Sequence, residues 1–520
     1  MKGRLPRHWI WIPWCLLFLA GLSGVHAWVV GTGRVSPAVV EAMGLGGDLL
    51  SGKENGRQGL VMSVWHPPLP VLICSPLSLM EKGQLRLVLG HGIALLGGLS
   101  ILYTVFAAAR HTGVGRIVAC LLCLSCFFHP FFLASSFSGE FFLIGYALLT
   151  AAVIQYSRWH QDRRTGHLVS LSLALSLSLL STPLSIPFIP FFGLGVFGAL
   201  LGEKGRPRGK VEGGLVLFAM PILYALSLWL LFGWLIMGDP LCAWRGVWSR
   251  PLSLSVNQES GLVMTLSHLF SLLGRHPLFM VCFLLGIWWK GTMRTALLGG
   301  LLILAWRMLL FSLGITWGAA ADTVLLSVFA TLWLGSVLGA KAQGRFPLSK
   351  RLGQLILVGM VVIGLVRLVR LAESPQQVLD GAAAMLRDGK DVSGRTRELG
   401  SVAEAVERLG EKGWILVTGY PGYQISELTA SPCLIHDMSL DLEKTLCDTS
   451  GKPLYLLLPR PEGEAAGVGI YSTYPSLYEK GASFLLFEEG WENWRIWRVV
   501  RTSANPWNVT IPLEFRTLGE

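Results

Sequence analysis

The sequence predicts a polytopic α-helical membrane protein with a C-terminal soluble α/β domain. Of its 520 residues, 52% are hydrophobic and 14% are charged, whereas about a quarter of the residues in typical soluble domains are charged. Long apolar runs recur through residues 1–371, and ordinary charge density returns after them. The net charge of +11 does not indicate a nucleic-acid partner, because the basic residues form short clusters between apolar runs, as membrane topology favours.

Eleven apolar segments are predicted to span the membrane as helices, because a hydrocarbon core of about 30 Å takes roughly 17 to 25 helical residues. They lie near residues 9–31, 86–108, 114–137, 139–157, 167–182, 184–202, 212–237, 276–289, 295–314, 322–340 and 352–371. The fifth and sixth are short and close together around "STPLSIP", so a broken pair is an alternative for one of them. The first segment has the basic flank of a signal peptide but no clear small-x-small cleavage site, so we retain it as a helix.

The basic residues predict the orientation of these spans. With the N-terminus in the cytoplasm, the cytoplasmic connections hold eighteen of them: Lys2, Arg4, Arg7, Arg110, Arg116, Arg158, Arg163, Arg164, Lys204, Arg206, Arg208, Lys210, Lys290, Arg294, Lys341, Arg345, Lys350 and Arg351. The opposite connections hold eight: Arg34, Lys53, Arg57, Lys82, Arg86, Arg245, Arg250 and Arg275. The positive-inside rule therefore predicts a multi-pass protein of the inner (plasma) membrane, in contact with its lipids, with a cytoplasmic N-terminus and residues 372–520 outside.

The tail, 372–520, is predicted to be an α/β domain. "SPQQ" at 374–377 has the pattern of a helix start, and apolar residues recur at helical spacing over 397–411. Four strands are predicted at "WILVTG" from 414, "PLYLLLP" from 453, "SFLLFEE" from 483 and "WRIWRVV" from 494. Cys433 and Cys447 lie in this exported domain, and the sequence leaves open whether they form a disulfide.

The stretch "VMSVWHPPLPVLIC", residues 61–74, stands out in the first outer loop, 32–85. Pro67 and Pro68 hold the chain extended and exclude an ordinary spanning helix. Upstream, Glu41 and Asp48 are seven residues apart, nearly two helical turns, which places both on one face of a short interfacial helix. Glu54 lies in the polar run "GKENGRQG", which is predicted to be a flexible loop.

This loop resembles the first external loop of the GT-C glycosyltransferases, particularly the protein O-mannosyltransferase-like and aminoarabinose-transferase-like branch. The matching features are Asp48 to Gly52, His66, and Pro67 to Leu69. Three further segments resemble later outer turns of that family and occur in the same order. They are "FFHPFFLASSFSGEFFLIGYALL" from 127, which includes Glu140, "LLSTPLSIPFIPFFGL" from 179 and "WLIMGDPLCAW" from 234. The resemblance implies a GT-C-like transmembrane domain over residues 1–371.

The resemblance also implies transfer of a sugar from a polyprenyl-phosphate-linked donor to an envelope acceptor on the outer face. Such transfer needs a carboxylate that deprotonates the acceptor hydroxyl or helps to hold a metal. The acidic residues expected soon after the first span align instead with Ala38 and Val39, so Glu41 and Asp48 are the substitute candidates, against the alternative that both are solvated loop acids. A divalent cation stays open as a cofactor, and no metal ligands are assigned.

The departing phosphate requires cations. His66 is a candidate for contacting the phosphate or acting as an acid, with a structural anchor as the alternative. Arg245 and Arg250 follow the "GDP" turn, where Asp239 is expected to shape the turn. Arg307 lies inside the apolar run "ILAWRMLLF", and an intramembrane Arg is a functional candidate by default, with snorkelling to the head groups as the alternative.

Two other classes compete with a glycosyltransferase. A catalytically inactive GT-C-like scaffold for envelope assembly is favoured by the missing acidic pair. A transporter is less favoured, since transporters commonly show duplicated halves and no internal repeat is evident here.

The topology yields a direct prediction. A reporter active only outside the cytoplasm, fused after Glu520, is expected to be active, because eleven spans carry the C-terminus across the membrane. Activity from a cytoplasm-only reporter at the same fusion point contradicts the topology; fusions after Lys204 and after Arg250 provide the matched inner and outer controls.

Overall fold

The computed structural model describes the chain over residues 11–32, 36–61, 67–80, 84–202, 208–243, 276–288, 294–312, 324–342, 392–418, 421–429, 434–437, 452–460, 476–482 and 485–500, with a few isolated residues between these ranges. Helices fill the part up to residue 342, and a mixed α/β arrangement follows from residue 392.

The region predicted to be the first outer loop is largely helical. After α1 (Trp11–Thr32) come α2 (Pro37–Leu50), α3 (Glu54–Gly59) and α4 (Pro68–Cys74), the last continued by a 3-10 turn, Ser75–Leu79. The interfacial helix expected to carry Glu41 and Asp48 is α2. The flexible loop expected at "GKENGRQG" is wrong, because this run forms α3, whose Gly56 packs directly on the backbone of Asp48 and Leu49. A bulkier residue there would separate the two helices.

Over the described ranges from residue 84 to residue 342, the bundle continues with ten further helices. They are α5 (Gln84–His111), α6 (Arg116–Phe127), α7 (Pro130–Phe137), α8 (Phe142–Asp162), α9 (Thr165–Leu179), α10 (Ser185–Leu201), α11 (Arg208–Met237), α12 (Pro277–Trp288), α13 (Arg294–Ser312) and α14 (Val324–Ala342).

These helices coincide with the predicted spans up to the tenth, with one correction. The third span is not continuous: α6 and α7 meet at a bend of 72°, because His129 has extended backbone (φ −71°, ψ 123°) and Pro130 begins the next helix. A residue before proline is driven out of the helical region. The fifth and sixth spans are two separate helices, α9 and α10, joined by residues 180–184. The eleventh, 352–371, lies almost wholly outside the described residues.

Two helices within the described part are long and apolar enough to cross a membrane, Leu85–His111 and Val211–Met237, or three if the bent pair α6–α7 is one span. The surface of α11 agrees with a lipid environment. Its exposed large apolar side chains recur at helical spacing along one face and include Leu217, Met220, Tyr224, Leu231 and Leu235. Apolar stripes of this length are rare on water-facing surfaces.

Small residues bring the bundle helices close together. The serine-rich helix α9 forms two cross-helix hydrogen bonds: Ser178 Oγ donates to the Gly145 carbonyl at 3.2 Å, and Ser172 Oγ donates to the Phe218 carbonyl. Such bonds stabilise helix association in apolar surroundings. They attach α9 to α8 on one side and to α11 on the other.

The C-terminal part forms a five-stranded mixed sheet. It contains α15 (Val392–Gly410), β1 (Trp414–Thr418), α16 (Pro421–Leu428), β2 (Leu434–Asp437), β3 (Leu454–Pro459), α17 (Leu477–Lys480), β4 (Leu485–Gly490) and β5 (Trp494–Val499). The strand order is β2-β1-β3-β5-β4, with β1 parallel to β2 and β3, and β5 antiparallel to β3 and β4. All four predicted strands are present, and β2 was missed; "SPQQ" and both Cys433 and Cys447 fall outside the described residues.

Helix packing predicts a contrast between two glycines. A Cβ on Gly97 of α5 would lie 2.9 Å from the Ile144 backbone nitrogen of α8, whereas one on Gly198 of α10 would meet nothing within 4 Å. We expect Gly97→Ala to lower the free energy of unfolding by about 1–3 kcal/mol through overpacking, and Gly198→Ala to leave it unchanged or raise it by up to about 1 kcal/mol through helix propensity. Unfolding by denaturing detergent in mixed micelles measures both, and equal stabilities would contradict this packing.

Candidate functional site

Three segments that are far apart in sequence meet at one end of the bundle. The Leu69 N–H donates to the Leu180 carbonyl at 2.9 Å, which ties the proline-rich turn to the α9–α10 connection. The Cys242 thiol, after α11, donates to the Val61 carbonyl at 3.3 Å. We call the apolar group at this junction the outer cluster; it comprises buried Val61, Leu179, Trp229 and Ala243, with Leu60, Leu180, Ile186, Ile189, Ile236 and Cys242 packed against them.

Proline chemistry explains the first of these contacts. Pro67, Pro68 and Pro70 have no backbone N–H, so Leu69 carries the sole backbone donor of residues 67–70. Pro67 is extended (φ −66°, ψ 151°) and precedes α4 as its N-cap. The Leu69 N–H therefore points out of the segment and donates to the Leu180 carbonyl, 111 residues later in the chain.

The turn after α11 is locally fixed. Asp239 Oδ1 accepts a hydrogen bond from the Leu241 N–H at 3.0 Å, so this carboxylate shapes the turn as expected. Desolvation, assisted by the negative charge of Asp239, raises the pKa of Cys242 above its usual value despite opposing backbone hydrogen bonds. The thiol stays protonated at neutral pH and remains a donor to Val61.

The N-terminus of α2 is held by a buried histidine on α5. His91 Nδ1 lies 2.9 Å from the Leu87 carbonyl, and His91 Nε2 lies 3.3 Å from the Ser36 backbone nitrogen. Since the carbonyl can only accept and the backbone N–H can only donate, the ring is neutral with its proton on Nδ1. Gly139 (φ +78°) packs against His91 and Val39. A Cβ on Gly139 would lie 2.8 Å or less from both side chains, so the close approach requires glycine.

The two candidate acids both lie on α2, and both are largely buried: Glu41 is 8% exposed and Asp48 is 7% exposed. The alternative of solvated loop acids therefore does not describe them. They differ in surroundings, because Asp48 Oδ1 forms an ion pair with Lys53 Nζ at 2.8 Å near the end of the helix. In that pair, Lys53 contacts one carboxylate oxygen of Asp48. Glu41 lies about two turns nearer the N-terminus of α2.

Arg307 is placed elsewhere. It is 3% exposed on α13, so it faces the protein interior and does not snorkel along a lipid-facing surface. Its helix packs on α8, α10, α12 and α14, in the large bundle core that includes Phe188, Phe279 and Trp333. The acids' helix packs instead on α3, α4 and α5, in a smaller core that includes Val39 and Met43. The described packing thus assigns Arg307 and the two acids to different clusters.

His66, Arg245 and Arg250 lie outside the described residues. In the sequence, His66 directly precedes Pro67, and Arg245 and Arg250 follow Ala243. Each of these three predicted site residues is therefore adjacent in the chain to a segment that reaches the outer cluster.

A buried histidine pair was not anticipated. The rings of His129 and His276 are stacked, with centroids 5.0 Å apart and planes within 3°, and His276 Nδ1 lies 3.1 Å from Ser327 Oγ. Each histidine precedes a proline that begins a helix, α7 and α12 respectively. The repeated His-Pro dipeptide, which also occurs at 66–67, is a sequence signal that could have identified these positions.

The structure does not identify a metal centre. In the described portion, no three His, Cys, Asp or Glu side chains are grouped so as to hold an ion. A divalent cation stays open as a cofactor.

The α/β part also contacts this region, because α16 packs against α2. Ile425 and Thr429 at this helix are buried. The helix that carries both candidate acids is thus enclosed by the bundle on one side and by the C-terminal part on another.

No protein-family model and no curated protein sequence matches this chain. Among solved structures, a match is found to the crystal structure of ArnT from Cupriavidus metallidurans bound to undecaprenyl phosphate, at 14% sequence identity and a TM-score of 0.48, covering 94% of this chain and 98% of that chain. At a TM-score below 0.5, the likeness establishes neither a shared fold nor a shared activity.

The His91 contact predicts how α2 responds to substitution. His91→Leu keeps an apolar side chain of moderate size but removes the acceptor of the Ser36 N–H, a loss of about 1–3 kcal/mol for a buried donor. We expect amide hydrogens at the start of α2 to exchange with solvent about tenfold faster or more, as measured by hydrogen–deuterium exchange mass spectrometry. His167→Leu, at the far end of the bundle, is the matched control; unchanged exchange in both variants would contradict the anchoring role of His91.

Proposed function

We propose that this chain is an integral-membrane glycosyltransferase that moves a sugar from a polyprenyl-phosphate-linked donor to an envelope acceptor on the outer face. The observation that carries the proposal is the convergence of the first outer loop, the α9–α10 turn and the turn after α11. These are three of the segments whose sequences separately resemble outer turns of the GT-C glycosyltransferases. Contacts at Leu69–Leu180 and Val61–Cys242 join them, as a common site requires.

In this proposal Glu41 is the preferred base. The acceptor hydroxyl oxygen attacks the anomeric carbon of the sugar, its proton passes to the carboxylate, and the bond from that carbon to the phosphate oxygen breaks with its electron pair on the phosphate. Glu41 comes first because it lies two or three residues after Ala38 and Val39, where the resemblance expects an acid. Asp48, whose Oδ1 forms an ion pair with Lys53, is the second candidate. Burial of Glu41 keeps the carboxylate away from bulk water, where a base would react with any hydroxyl.

Cations stabilise the phosphate that leaves. Arg245, Arg250 and His66 are proposed for this role on the strength of their chain positions beside the outer cluster. Arg307 is proposed as a contributor from the bundle side, because it is a buried cation within an apolar helix and arginine binds phosphate through two parallel hydrogen bonds. The site faces away from the cytoplasm in the predicted topology, which places the N-terminus inside and residues 372–520 outside.

The base assignment is tested by two conservative substitutions. Glu41→Gln is expected to lower sugar transfer by about 10² or more, the usual scale for loss of general-base help, and Asp48→Asn is expected to have a smaller effect. Glu212→Gln, on the exposed surface of α11, is the matched control. Transfer is measured as radiolabelled sugar leaving the lipid donor in membrane vesicles, and full activity in the Glu41, Asp48 double variant would refute the substitute-base role.

The phosphate assignment is tested on one helix. Arg307→Gln is expected to weaken binding of a polyprenyl phosphate about tenfold or more, because a charged hydrogen bond is lost, while Arg294→Gln, at the exposed start of the same helix, is expected to bind normally. Equal affinities of both variants for the polyprenyl phosphate would show that Arg307 does not bind the phosphate.

The amount of lipid-linked sugar donor in the membrane distinguishes an active enzyme from an inactive scaffold. Removal of an active transferase makes its lipid-linked sugar accumulate, whereas removal of a scaffold leaves the pool unchanged. This measurement does not require the acceptor to be known.

A further inference from the structure

The outer cluster contains a buried hydrogen-bond donor with no acceptor. Trp229 on α11 is 5% exposed, and its indole Nε1–H is fully buried without a hydrogen-bond partner. Buried indole N–H groups usually find a partner, and a buried donor left unsatisfied costs about 1–3 kcal/mol. Such an atom in a native protein calls for an explanation, and an absent ligand is one of them.

Trp229 lies where the three outer segments meet. Its side chain packs with Val61 of the first outer loop, Leu179 at the end of α9 and Ala243 after α11. It lies eight residues before the end of α11 (Arg208–Met237), about 12 Å along the helix axis. The donor is thus inside the helix bundle, just beneath the convergence of the loops.

Two backbone carbonyls of the outer cluster accept hydrogen bonds from other donors than the Trp229 indole. The Leu180 carbonyl accepts the Leu69 N–H, and the Val61 carbonyl accepts the Cys242 thiol. The other members of the outer cluster contribute apolar side chains. The cluster therefore combines an apolar wall with one free donor, a combination that fits a ligand whose chain is hydrocarbon and whose head group carries oxygen acceptors.

We propose that the Trp229 Nε1–H donates a hydrogen bond to an oxygen of the sugar-phosphate head group of the lipid-linked donor. This inference rests on the proposed function and adds a positioning residue to it. Indole is a donor only, and phosphate oxygens are acceptors only, so the pairing is complementary. The apolar surroundings strengthen the bond, because little water competes for it.

The test compares Trp229→Phe with Trp333→Phe. Trp333 is the matched control, since its indole Nε1–H is also buried without a partner, but it lies in the bundle core. Each purified full-length variant in lipid nanodiscs is titrated with a polyprenyl phosphate, with the same lipid bearing a hexose, and with the neutral polyprenol. Replacement of Trp229 by benzothienylalanine, which retains the ring shape and lacks the N–H, provides a second variant that disturbs packing less.

We expect the two Trp229 variants to bind the phosphate-bearing lipids about tenfold more weakly, the loss typical of one hydrogen bond to a charged group. Equal weakening for both lipids assigns the bond to a phosphate oxygen, and weakening for the hexose-bearing lipid alone assigns it to a sugar oxygen. Without ligand, benzothienylalanine at 229 should not lower the melting temperature, because the N–H makes no internal bond.

Two results would overturn the inference. If wild type binds the lipids and a folded benzothienylalanine variant binds them equally well, Trp229 does not contact the head group and the proposed function stands. If wild type binds neither phosphate-bearing lipid better than the polyprenol, the proposed function itself fails, and this inference fails with it.

Discussion

One backbone hydrogen bond, from Leu69 to the Leu180 carbonyl, determines how the outer half of the molecule is assembled. Three prolines in residues 67–70 leave Leu69 as the only backbone donor there, and an apolar environment penalises any donor that stays unsatisfied. The structure satisfies this donor by docking the segment on the α9–α10 turn. That docking brings Val61 against the turn after α11 and creates the outer cluster around Trp229.

The acidic helix depends on a second contact of the same kind. His91 Nε2 accepts a hydrogen bond from the Ser36 N–H and thereby fixes the start of α2 against α5. Gly56 allows α3 to lie directly on the last turn of α2. Glu41 and Asp48 are thus buried by neighbours on several sides, and Lys53 forms an ion pair with Asp48. In the proposed reaction, this burial places the base in a site with little water.

Local pattern was sufficient for most of the fold and for part of the site. The apolar runs predicted helices at each described span, and alternation and apolar runs predicted β1, β3, β4 and β5. The helical spacing of Glu41 and Asp48 likewise predicted α2. Two short elements were missed for a physical reason, which is that tertiary packing and not local pattern stabilises them. The four-residue strand β2 pairs with β1, and the six-residue helix α3, rich in glycine and polar residues, packs against α2 through Gly56. The roles of His91 and Trp229 arise from contacts between residues distant in sequence, which no local pattern encodes. The His-Pro dipeptide marks the positions of His129 and His276 but not the stacking of their rings.

The central claim is that the three converging outer segments bind a lipid-linked sugar donor, and photocrosslinking tests it most directly. A polyprenyl phosphate with a diazirine near its head group, activated in membranes containing the full-length protein, is mapped by peptide mass spectrometry. The account predicts crosslinks in residues 60–80, 179–190 and 229–250, reduced by competition with unlabelled polyprenyl phosphate. Crosslinks confined to the exposed apolar face of α11, and insensitive to that competition, would contradict it.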